Sequence, residues 1–204
     1  EDISRGDYLQ VMNEQMERFF AIEPYRTYRD YFDVYTAIAV SPENGIGGVN
    51  TIRDTKFGTT FTNDVGLLGE YDEIFAYVMK IPSVNESNLS QSLIVITPNT
   101  TDYGGITQMW EDGSAIAFCP LSGDNYPYDA RGIVQHEAGG HGFGKLGDEY
   151  IYYNSFIDDC LCLGAFKWGK ALGWYENLSL TGKMHEVPWA HFIFDDRYSD
   201  VVDI

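Results

Sequence analysis

"IVQHEAGGHGFGKLGDEY", Ile133 to Tyr150, gathers two histidines, a glutamate and an Asp-Glu-Tyr ending into one short segment. His136 and His141 are five residues apart. Each α-helical residue turns about 100°, so side chains five apart point roughly 140° away from each other, whereas side chains four apart are neighbours. The two imidazoles therefore converge only if the helix absorbs an extra residue, as a π-bulge does. Gly139 and Gly140 lie between them, with low helix propensity and no side chain to resist the distortion. The segment predicts a helix capped by Asp129, starting at Ala130 and widened near those glycines. Both imidazoles then face one cavity.

Outward from this helix, apolar spacing at Leu9, Met12, Met16, Phe19 and Phe20 predicts an amphipathic helix over 8–21, stopped by Pro24. Tyr31 to Val40, "YFDVYTAIAV", reads as a buried strand ended by the turn "SPENGIGG". "TKFGTTF" suits a short edge strand, residues 71–80 a helix, and 92–98 and 114–120 two buried strands. Residues 165–178 form a weaker helix, interrupted by Gly169 and Gly173. The order implies an α/β (α+β) domain in which a mixed sheet backs one central helix. With no internal repeat or low-complexity linker, residues 1–204 read as one domain, and both ends look like cuts in a longer chain.

The chain has 204 residues, 44% hydrophobic, 15% aromatic and 22% charged, the composition of a folded protein. Its formal net charge of −18 argues against nucleic acid and anionic lipid as partners, since both require basic patches. No apolar run approaches the ~20 residues of a membrane span, and no signal peptide is visible. Cys119, Cys160 and Cys162 have no CxxC spacing for structural zinc and read as ordinary reduced cysteines. Asn85, Asn88, Asn99 and Asn177 begin Asn-x-Ser/Thr sequons.

All four histidines lie in the last third of the chain. If His136 and His141 converge, they offer two imidazoles to a metal, with zinc the expected ion, and Glu137 stands beside them to take a proton from water. Two residues compete for third ligand. Asp148 follows the turn-forming Gly144 and Gly147, while His191 offers the better ligand chemistry from a distant loop; Asp148 stands slightly ahead. A ligand beyond Ile204 is the remaining alternative. His185 reads as a surface residue. Tyr150, Tyr152 and Tyr153 are equivalent candidates to donate to an oxyanion.

Gly144, three residues past His141, stands where metzincin zinc proteases turn toward a third ligand. The His-Glu helix with its Leu146-Gly147-Asp148-Glu149-Tyr150 ending resembles the IgA peptidase family of zinc metallopeptidases. "EPYRTYRDYFDVYTAIAVSPENGIG" and "TKFGTTF" before the helix, and "VPWAHFIF" after it, extend the resemblance to about residues 19–194. Two departures stand out. The family's commoner helix is HExxH, and HEAGGH instead resembles the HExxGH of the dipeptidyl peptidase III family, which binds zinc. Met184 precedes His191, so the metzincin methionine turn is missing or cut off. The resemblance implies a metzincin-like zinc endopeptidase, secreted, periplasmic or at the cell surface, acting on protein or peptide, immunoglobulin among them. A non-catalytic protein- or glycan-binding module is the alternative. A calcium-binding adhesin domain lacks its DxDxDG-type loop.

Overall fold

The computed structural model describes residues 7–62, 65–150 and 160–198. Contacts divide the chain into two compact units, Glu1–Phe143 and Gly144–Ile204.

The first unit has an α+β architecture. Helix α1, Asp7–Phe19, is followed by the short strands β1, Thr60–Phe61, and β2, Leu67–Leu68, then helix α2, Tyr71–Val78. Strands β3, Leu93–Ile96, β4, Ile106–Met109, and β5, Ala115–Phe118, come next. Helix α3, Ala130–Ile133, then runs directly into a π-helix, Val134–Phe143. β1 and β2 pair antiparallel. The three-stranded sheet has the order β3-β5-β4, with β3 parallel and β4 antiparallel to β5.

β5 is the centre of this unit, and its period-2 alternation separates two cores. Ala117 and Cys119 face Phe19, Phe20, Tyr25, Ile133, Val134 and Ala138 on the helical side. Ile116 and Phe118 face Phe57, Leu67, Ile74 and Ile94 on the other. β3 follows the same register, since Leu93 packs with the first core and Ile94 with the second. The helical face of β5 carries alanines, which let the central helix lie close. The opposite face carries the bulk, and each large side chain buried there contributes ~1.5–3 kcal/mol.

Most expected elements form with shifted ends, but one does not. Tyr31 to Val40 forms no strand. Arg29–Tyr31 is a 3₁₀ turn and 32–40 runs without ladder partners among the described residues. Tyr31, Val34, Tyr35 and Val40 are exposed, Tyr31 to 85%. β-propensity reads the side chains, but a strand also needs a sheet edge to pair with. This segment is instead tied down at points: Phe32 packs on one core, Ala39 on the other, and the Tyr77 hydroxyl donates to the Ile38 carbonyl. β4 and β2, conversely, carry no strong sequence signal.

The second unit holds helix α4, Cys160–Ala171, and the short helix α5, Ala190–Ile193. α4 ends near Gly173, at φ +81°. Tyr152 and Tyr153, and the side chains of Cys160 and Cys162, lie outside the described residues. Among the described residues no helix is long and apolar enough to cross a membrane.

The start of the central helix is tightly specified. Asp129 Oδ1 accepts from the Gly132 backbone N–H at 2.8 Å, the expected N-cap. A Cβ on Gly132 would stand 1.9 Å from the Pro127 carbonyl oxygen, so only glycine lets the helix cross there. Asp129→Ala should therefore cost about 1 kcal/mol, and Gly132→Ala distinctly more, because backbone must move. Thermal unfolding of the two variants checks the order; a Gly132→Ala protein as stable as the parent contradicts it.

Candidate active site

The π-helix answers the spacing problem. Its hydrogen bonds run i→i+5, so residue i+5 rises over residue i. His141 is thereby set over His136, with ring centroids 4.5 Å apart at 81° and Nε2 atoms 3.1 Å apart. The widening spans ten residues rather than one local bulge. His136 is exposed and His141 partly so.

External contacts hold this conformation. The Tyr25 hydroxyl, buried, donates to the Gly139 carbonyl at 2.6 Å. The Tyr25 ring packs on Phe19 and against Phe143 at the helix end. At Gly142 a Cβ would stand 2.5 Å from Leu93 Cδ1, so the helix meets β3 there without room for a side chain.

Glu137, on the same helix, is 8% exposed. Thr107 on β4 lies against it, its Oγ1 2.9 Å from Glu137 Oε2 and 2.8 Å from the Glu137 carbonyl oxygen. Cys119 is fully buried nearby. Burial first, then the Glu137 charge, pushes its thiol well above the ordinary range, so it remains a neutral core residue.

Two imidazole nitrogens on one zinc, each at ~2.0–2.1 Å, stand roughly 3.2–3.4 Å apart at near-tetrahedral angles. The observed 3.1 Å fits that donor pair closely. Without an ion, the same distance is an N–H···N hydrogen bond, with one ring donating and the other accepting.

The other expected residues belong to the second unit. Asp148 is exposed, in a loop fastened at both neighbours. Asn177 accepts from the Gly147 N–H at 2.9 Å and donates to the Gly147 carbonyl and Glu149 Oε1, both at 2.8 Å. The Tyr175 N–H donates to the Lys145 carbonyl, where Lys145 takes φ 53°. Burial first, then the Asp148 carboxylate, raises the Tyr175 hydroxyl above its ordinary value. Asn177, legible in sequence only as a sequon, thus uses its side-chain amide to shape the Asp148 loop. His191 is exposed on α5, its ring 3.9 Å from that of Phe192. His185 is exposed and stacked on Phe194, and Met184 is 38% exposed.

Two imidazoles and a buried carboxylate on one helix form a donor set suited to a divalent metal and a proton acceptor beside it. The chain belongs to the IgA Peptidase M64 family, whose model matches residues 2–196. It is accordingly a peptidase, and its substrates are proteins. No curated protein matches the chain.

Tyr25, Thr107 and Asn177 escaped the sequence reading because each acts from 30 or more residues away. Tyr25→Phe should remove the donor to Gly139, costing about 1 kcal/mol. Denaturant unfolding checks the loss, and amide exchange of residues 134–143 should speed up. Unchanged stability and exchange contradict this role for Tyr25.

Proposed function

We propose that this chain is a zinc-dependent endopeptidase with His136, His141 and Asp148 as protein ligands and Glu137 as general base. The observation that carries it is the 3.1 Å approach of two imidazole nitrogens beside a buried glutamate on one π-helix. Zinc at such a donor set supplies Lewis acidity toward water and a carbonyl oxygen.

The chain's own residues do the rest. Glu137 takes a proton from the attacking water on a carboxylate oxygen and later delivers it to the nitrogen of the leaving amine. Its burial keeps competing water away and raises the strength of local electrostatic interactions. His136 and His141 act as neutral imidazoles, fixed in position by the helix. Asp148 is preferred to His191 because it follows His141 by only seven residues in a loop shaped by Asn177 and Tyr175. His191 sits on a four-residue helix beside Phe192, and Asp195 and Arg197 form an ion pair nearby in sequence.

With its acidic composition, we propose that the chain works outside the cytoplasm, in the periplasm, at the cell surface or secreted. Immunoglobulin A, which the family's name carries, is the first protein substrate to assay.

Purified protein should hold about one zinc per chain. Glu137→Gln should keep that zinc while peptide hydrolysis falls ~10²–10⁴-fold. Hydrolysis within a few-fold of the parent means that the base is elsewhere, and a metal content near zero removes the metal site.

Asp148→Ala and His191→Ala should be compared for zinc retention by competition with a chromogenic chelator. Loss of a true ligand should release zinc, while loss of an outer partner weakens affinity ~10–100-fold at most. The proposal predicts release from Asp148→Ala; release from His191→Ala alone reverses the assignment, and full zinc in both contradicts either.

A further inference from the structure

β4 is an outer strand of the three-stranded sheet, and it does more than complete the ladder. Thr107 Oγ1 lies 2.9 Å from Glu137 Oε2 and 2.8 Å from the Glu137 carbonyl oxygen. A hydroxyl has one hydrogen, so these two acceptors share it. Just before β4, the Glu137 side chain lies against bare backbone at Gly105. A Cβ there would stand 2.8 Å from Oε1 and 2.9 Å from Cγ. Thr107 thus meets one oxygen of the carboxylate, and Gly105, lacking a side chain, leaves room for the other. Thr107 is well suited to the task, because a β-branched residue has few χ1 states.

We propose that Thr107 is a positioning residue for Glu137: its hydroxyl, with the side-chain-free Gly105, fixes the carboxylate where it takes the proton. The proposal rests on Glu137 being the general base. A glutamate free to change rotamer loses that freedom before it can act. A base must also lie within hydrogen-bond reach of its proton, and a ~1 Å displacement can cost on the order of 10²-fold in rate.

The test separates hydroxyl from shape. Thr107→Val keeps the branched shape and loses the donor; Thr107→Ser keeps the donor and loses the branch. On a quenched peptide substrate, Thr107→Val should lower kcat roughly 10–100-fold, with KM and zinc content close to the parent. Thr107→Ser should stay within a few-fold. A crystal structure of Thr107→Val should show the carboxylate moved off Gly105. Parental kcat in Thr107→Val, or an equal loss in Thr107→Ser, overturns the proposal. Gly105→Ala supplies the second variant and decides if the valine protein does not fold: its kcat should fall while zinc stays bound, and an unchanged kcat overturns the role. Glu137→Gln, assayed in parallel, distinguishes the two levels. If it keeps full hydrolysis, the base assignment and this proposal fall together; if it is inactive while Thr107→Val is not, only the positioning role falls.

Discussion

An i→i+5 backbone sets His141 over His136, and the rest of the site depends on that turn. On an α-helix the same two residues would point apart, and no side-chain rotation would bring their rings to 3.1 Å. The conformation is intrinsically weak. Three glycines inside it each cost about 1 kcal/mol relative to alanine, and π-helices rarely exceed a single turn. It persists because neighbours hold it: Tyr25 takes up the Gly139 carbonyl, Leu93 fills the space above Gly142, and Ala138 is sealed in the core.

The sheet is shaped to receive that helix. Small residues on one face of β5 let the helix approach, and large ones on the other anchor β5 against α2 and β2. The same approach sets Glu137 against β4, where Thr107 and Gly105 meet its carboxylate. Helix position and carboxylate position are therefore one constraint. In the second unit, the Asn177 side-chain amide and the Tyr175 backbone N–H shape the Asp148 loop, so that loop owes its form to residues about thirty positions away.

Much of this was legible in the residues themselves. The five-residue histidine gap with glycines between pointed to a widened helix if the two rings were to converge, and the Asp129 cap marked its start. The buried strands at 93–96 and 115–118 announced themselves as short apolar runs. Tyr31 to Val40 misled because apolar, β-branched sequence does not reveal whether a sheet edge is available. β4 was missed for the opposite reason: four residues of mixed polarity after two glycines carry little local signal, and their partner β5 decides the outcome. Thr107 was invisible with it. Contacts between residues far apart in sequence leave no periodic trace, which is why the histidine pair could be read and its supports could not.

The central claim is that the π-helix exists to place two imidazoles on one metal. Anomalous diffraction from crystals grown with zinc, recorded above and below the zinc edge, tests it most directly. The account predicts one strong peak shared by the Nε2 atoms of His136 and His141, with residues 134–143 still in i→i+5 register. A regular α-helix with the rings parted, or no anomalous peak at the pair, would contradict it.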